Sequence, residues 1–153
     1  MLPQILQDFN VFVDGIGYAG RLSEFVSPKI TKKVVEIFNS GMSAPVEQPV
    51  GYEKLAGEMT FSEITPALAK LIAKNGANDV PLRLVGDYVD PNDAGKKIQT
   101  EVVLTGFLKE IDTGTFKRGD QTAAKYSWSG AYYKLTQADT VLIEINALEP
   151  FGA

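Results

Sequence analysis

The sequence predicts a mainly β subunit, a β-sandwich or barrel with one flanking α-helix, and three observations predict it. Runs rich in β-branched and aromatic residues recur along most of the chain. Clusters of Gly, Pro, Asn and Asp separate them as turns. Only one segment, residues 66–75, carries legible helix ends. One helix among many strands leaves packed or closed sheets as the way to bury an apolar face. With 153 residues, 44% hydrophobic and 22% charged, the chain suits a single domain, 1–153, with a real core.

In chain order, residues 1–9 form an arm carrying Leu2, Ile5, Leu6 and Phe9. The runs NVFV (10–13) and RLSEFV (21–26) flank the glycines of DGIGYAG and predict a first hairpin. After Pro28, ITKKVVEIF (30–38) alternates loosely, with Ile30, Val34 and Phe38 interrupted by Lys32 and Glu36. SGMSAPVEQPVG (40–51) then reads as a loop far longer than a hairpin needs, exposing Met42, Val46 and Val50. YEKLAGEMTF (52–61) alternates cleanly: Leu55, Gly57, Met59 and Phe61 on one face, Lys54, Ala56, Glu58 and Thr60 on the other. The loop therefore joins the arms of a long hairpin.

The helix is bounded by Thr65 as N-cap, Pro66 as first helical residue and Asn75-Gly76 as a left-handed stop. Leu68, Leu71 and Ile72 form its apolar stripe, and Lys70 and Lys74 point away. Strand patterns return over 80–89 and 99–111, which flank the turn-rich DPNDAG, and over 123–135 and 141–145.

Several function classes fall away. The chain holds no His and no Cys, which removes the usual zinc sites, the Ser-His-Asp and Cys-His arrangements and the commonest general base. No catalytic residue, cofactor or metal is assigned, and an enzyme is not expected. A net charge of −4 with no basic run longer than Lys32-Lys33 or Lys96-Lys97 opposes specific nucleic-acid recognition, which draws on clustered Lys and Arg. The N-terminus lacks a secretory signal pattern, and no apolar run approaches the ~20 residues of a membrane-spanning helix. The chain is expected to fold in cytoplasm.

Three motifs are weighed against plainer readings. GIGYAG (15–20) matches the dinucleotide fingerprint G-x-G-x-x-G, but the following run alternates like a strand and no βαβ unit surrounds it. DPNDAG with Glu101 nearly copies an EF-hand loop, yet Ala94 offers no side-chain oxygen and both flanks look like strands. Trp128, Tyr132 and Tyr133 are read as core and interface packing in preference to a sugar-stacking platform.

What remains is surface that a lone subunit has trouble hiding: the apolar loop, the apolar arm and several strand edges. Self-association settles all three, because a neighbour covers the loop and pairs the edges. The residues read as a building block.

The segments MLPQIL, NVFVDGIGYAG, SPKITKK, GMSAPVEQPVGYEKL, LKEIDTGTFKRGD and YYKLTQADTVLIEI occur in that order over residues 1–145. In this series the chain resembles the major tail tube proteins of contractile-tailed phages and R-type tailocins. The resemblance implies hexameric rings stacked into a tube inside a contractile sheath, with the inner sheets of six subunits joined into one barrel lining the lumen. It implies that the long loop reaches the adjacent ring, so that Gly41, Met42, Ala44, Pro45 and Val46 are inter-ring contacts. With the buried face of the alternating arm turned to the core, Lys54, Ala56, Glu58 and Thr60 face the channel, together with Thr31, Lys33 and Val35 from the other arm. Lys33, Lys54, Glu58 and Thr60 are the lumen-facing candidates.

The implied partners are further copies of the chain, a tail sheath protein, and tape-measure, baseplate and terminator proteins. DNA would be non-specific cargo, and the host membrane would be crossed only by the assembled tube. An acidic or mixed wall suits a conduit, because cargo must slide without sticking. The location implied is the virion tail, assembled in the host cytoplasm. The chain ends at LEPFGA where such proteins usually continue, so no contact made by a longer tail is carried over. The rival readings are a type VI secretion-like or non-contractile tail tube and, from a different class, a monomeric β-barrel that binds a sugar or apolar ligand on Trp128 and the tyrosines.

Overall fold

The computed structural model describes residues 2–13, 16–17, 22–64, 66–74, 76, 80–93, 96–120 and 122–150. Their strands are β1 (Ile5–Val13), β2 (Ile16–Gly17), β3 (Leu22–Val26), β4 (Lys32–Ile37), β5 (Val46–Tyr52), β6 (Leu55–Phe61), β7 (Val80–Asp90), β8 (Lys96–Asp112), β9 (Ala124–Gln137) and β10 (Thr140–Asn146). Eight of these form one antiparallel sheet in the order β2-β1-β7-β8-β9-β6-β3, with β10 also on β9. β6 pairs with residues 124–130 of β9 and β10 with residues 132–137. The outermost long strands, β1 and β3, line a common groove without pairing, so the sheet curls most of the way to a barrel.

Alternation builds the core. Along β6, Leu55, Gly57, Met59 and Phe61 are buried while Ala56 and Glu58 are exposed, as the sequence pattern predicts. Val11, Leu104, Tyr126 and Trp128 from β1, β8 and β9 meet them in one cluster. Tyr126 packs edge-on against Phe61 at 5.4 Å, and Trp128 stacks on Phe25 of β3 at 6.5 Å.

The expected first hairpin between residues 10–13 and 21–26 does not form. β1 turns back only onto the short β2, at Phe12 and Val13, and its long partner is β7. β3 pairs with β6, setting Leu22 beside Phe61 and Phe25 beside Met59. Matching apolar rows across the sheet outweighs closeness in sequence. The predicted arm 1–9 shortens for a similar reason, since residues from Ile5 onward satisfy the backbone of β7. Leu2 is pinned by Asn92, which exchanges hydrogen bonds with its N–H and carbonyl at 3.0 and 2.6 Å.

The long hairpin also differs. Its arms are β4 and β5, with Ile37 opposite Val46 and Lys32 opposite Tyr52; β6 belongs to the main sheet. The predicted loop 40–51 therefore contracts to residues 38–45, because 46–51 are strand. Pro49 argues against a central strand, but a two-stranded ribbon has only edges, and Pro49 sits next to a register shift between Lys33 and Val34.

The helix is shorter than the predicted 66–75: α1 (Pro66–Ala69) passes into a 3-10 turn over Lys70–Ala73. Leu68 is fully buried, whereas Ile72 of the predicted stripe is 43% exposed. Thr65 and Asn75 lie outside the described residues. Gly15, Tyr18, Ala19 and Gly20 of the GIGYAG motif do so too, but Ile16-Gly17 are strand and the next described segment, Leu22–Val26, is strand β3 where a dinucleotide site requires a helix.

Candidate assembly surfaces

The hairpin β4–β5 is the first surface. Every residue from 31 to 41 is exposed, and among the described residues the two strands form a sheet with each other alone. At the tip, the Met42 N–H bonds the Asn39 carbonyl at 3.1 Å, and the Asn39 N–H donates to Met42 Sδ at 3.4 Å. Gly41 closes this turn with φ of +90°, a conformation that costs glycine little. Of the predicted contact residues, Met42 is half-buried and Gly41, Ala44, Pro45 and Val46 are exposed. The structure gathers all five at the tip. Val34, Val35, Ile37, Phe38 and Val50 add exposed apolar surface along the ribbon.

The second surface is the outer face of β3, β6, β9 and β8. Register places Glu24, Thr60, Lys125 and Asp112 in one row, and Val26, Glu58, Ser127 and Glu110 in the next. Of the predicted wall residues, Glu58 and Thr60 stand on this face. Lys54 precedes β6 and shares a cleft with Glu58, Lys29, Lys109 and Glu110. Lys33 stands apart, on the hairpin. Sequence reasoning missed Glu24, Glu110, Asp112 and Lys125, whose place on this face depends on cross-sheet register, and Lys109, which lies in the register shift beside Glu110. The rows alternate or dilute their charges, so no basic array forms there.

The third surface was not foreseen at all. Between β1 and β3 the inner face of the sheet opens into a groove of about 510 Å³, lined by Leu6, Phe9, Phe25, Leu84, Tyr88 and Leu135 among others. Glu24, on the edge strand β3 and so bordering both the outer-face row and the groove, is the charged lining residue among those described. Burial pushes the phenol of Tyr133, also in the lining, above its ordinary pKa. Sequence signals existed in the apolar Leu6 and Phe9, read as an arm.

Elsewhere the outer face of β1, β7 and β8 carries an ion pair. Arg83 Nε donates to Glu101 Oε1 at 2.8 Å, and its guanidinium lies 5.7 Å above the Phe12 ring. The hydrogen bond from Arg83 to Glu101 raises the guanidinium's pKa, with burial opposing; an exposed pair of this kind contributes about 0.2–1 kcal/mol. The EF-hand-like segment is the turn between β7 and β8. Asp90 Oδ1 accepts from the Asn92 N–H at 2.9 Å, and Asn92 is occupied by Leu2; Ala94 and Gly95 lie outside the described residues. The ligand-platform reading of the aromatics fails on geometry. The three do not share one face: Trp128 is 1% exposed inside the core, Tyr133 is 5% exposed and borders the groove, and Tyr132 faces outward and donates to Glu144 at 3.2 Å.

A surface made of apolar ribbon, mixed-charge wall and open groove suits assembly, and the comparisons agree. The sequence matches the phage tail tube protein FII family over residues 3–150. The chain belongs to that family. It is 34% identical over 150 residues to the tail tube protein of Escherichia phage P2, covering 96% of this chain and 87% of that protein. It is 31% identical over 147 residues to the major tail tube protein of Serratia phage KSP20, covering 96% and 85%. In fold it is similar to a chain of the extended sheath-tube complex of PVC, an extracellular contractile injection system. That likeness has a TM-score of 0.64 at 13% identity, covering 88% of this chain and 91% of the other. The tube subunit's role is structural and not enzymatic, and its place is the virion tail. Among the described residues no helix is long and apolar enough to cross a membrane.

Proposed function

We propose that this tube subunit forms hexameric rings that stack into the inner tube of a contractile tail, a rigid conduit driven through the host envelope. The observation that carries the reading is the β4–β5 hairpin, an apolar ribbon that stands outside the main sheet. A two-stranded ribbon is marginal in water by itself, so its apolar residues call for a neighbour. In this assembly Gly41, Met42, Ala44, Pro45 and Val46 touch the next ring. Lys54, Glu58 and Thr60 line the lumen with Glu24, Lys125, Glu110 and Asp112, and Lys33 joins the wall from the hairpin.

The similarity to a subunit of a sheath-tube complex supports a sheath around the tube; terminator, baseplate and tape-measure proteins complete the set of partners. DNA passes as cargo without sequence recognition. The mixed wall supports that role, because a chain of net charge −4 with no basic row offers phosphates little to hold.

Negative-stain electron microscopy of the concentrated protein, with its sedimentation profile, tests the reading. Six-fold rings or hollow rods are expected. A monomer at every concentration, also in the presence of a baseplate fraction, overturns it.

A further inference from the structure

The exposed ribbon and the open groove are counterparts carried by the same chain. The groove is walled by Leu6 and Phe9 of β1, Phe25 of β3, Leu84 and Tyr88 of β7 and Leu135 of β9. Its volume of about 510 Å³ takes three to four branched or aromatic side chains at roughly 0.75 packing density. The hairpin tip presents such a set: Ile37 is 38%, Phe38 60% and Val46 55% exposed, with Met42 beside them in the turn.

The subunit's own hairpin does not use the groove. No residue of β4, β5 or their connecting turn lines it, and a hydrogen bond of 2.8 Å from the Glu53 N–H to the Thr31 carbonyl closes the ribbon at its root. The apolar residues of the whole ribbon expose on the order of 600 Å², of which the tip holds roughly half; against the ~800 Å² that each partner contributes to a stable interface, the tip is the anchor of a contact that the rest of the ribbon extends. One ribbon and one groove per chain make a head-to-tail contact, which links copy to copy and either closes into a ring or runs on as a stack.

We propose that the hairpin tip of one subunit seats in the groove between β1 and β3 of a second copy, completing the layer that the second copy's sheet leaves open. This rests on the tube reading and names the receiving surface for the tip. Ile37, Phe38, Met42 and Val46 enter, and Leu6, Phe9, Tyr88 and Leu135 receive them. The two sites lie on different copies, so the contact forms only as subunits assemble.

The chain has no cysteine, so introduced thiols report cleanly. Phe38→Cys and Leu6→Cys both fall on exposed side chains, 60% and 42%, and neither disturbs the buried core. The two single variants, one carrying a size tag, are mixed, assembled and treated with a short bismaleimide. The expected product is the mixed dimer, in rods and not in separated subunits, and the double variant should give a ladder. Phe38→Cys paired with Leu142→Cys on β10 serves as the control and should stay uncoupled. Rods that form without the mixed dimer, or a double variant that couples only within its own chain, overturn this contact and leave the tube reading standing. Absence of rings and rods from both the parent chain and the variants overturns both.

Discussion

Gly57 shows how one residue's size shapes the core. A Cβ at this position would lie 2.5 Å from Trp128 Cζ2 and 2.6 Å from the Val26 carbonyl oxygen. The indole packs over the glycine while β3 runs against its other side, so neither neighbour can withdraw without breaking the pairing of β3 with β6. Gly57→Ala is expected to destabilise the unassembled subunit by about 1–3 kcal/mol through overpacking, read as a lower urea midpoint. An unchanged midpoint would mean that the close packing of Trp128 on β6 is wrong. Gly41, by contrast, has nothing within 4 Å of its would-be Cβ, and its glycine answers to backbone conformation alone.

At the scale of elements, the β4–β5 ribbon separates folding from assembly. Its tip contributes nothing to the buried cluster, and Met42, half-buried there, packs within its own turn, where its sulfur accepts from the Asn39 N–H, so substitutions there should leave the subunit folded. Met42→Asp and Val46→Asp are each expected to change the unfolding free energy by no more than about 0.5 kcal/mol, as surface changes usually do. The same carboxylates should abolish stacking, because assembly would bury an unpaired charge. Circular dichroism and electron microscopy on the same samples check both halves. Normal rods from both variants would remove the tip from the interface. The helix plays a different part: Leu68 is fully buried and joins the core cluster, so α1 and its 3-10 extension cover the sheet locally.

For the whole molecule, stability is expected to be uneven until the tube forms. The long strands β7, β8 and β9 pair along most of their lengths and carry much of the buried cluster, whereas the ribbon has no second layer. Amide hydrogen exchange should therefore be fast in β4 and β5 of the separated subunit and slow in β8 and β9. On assembly the ribbon's amides should slow by about tenfold or more, while those of β8 change little. Ribbon amides that exchange equally fast in subunit and rod would show that no neighbour covers them.

The main strands were legible where alternation was clean. β6 shows it best, and its pattern also placed Glu58 and Thr60 on the face away from the core. Residues 80–89, 99–111 and 123–135 matched β7, β8 and β9 to within a few residues at each end. The gap between 123–135 and 141–145 bracketed the turn joining β9 to β10, but its tightness was hidden, because Ala138 and Asp139 take positive φ there, +50° and +64°, without the glycine that usually announces it. Pro49 concealed β5 in the same way, since a proline argues against a strand unless the strand is an edge.

Composition and motif order determined, with no structure, that the chain is mainly β, lacks the side chains of the common catalytic sites and resembles the tail tube family; these depend on residue identity and local spacing. The tertiary structure alone decided which strands are neighbours, and so which charges share the wall rows and where the groove opens. Pairing of β1 with β7 and of β3 with β6 is a contest among distant apolar rows, settled by mutual burial across the whole sheet, and no local stretch of sequence contains its outcome.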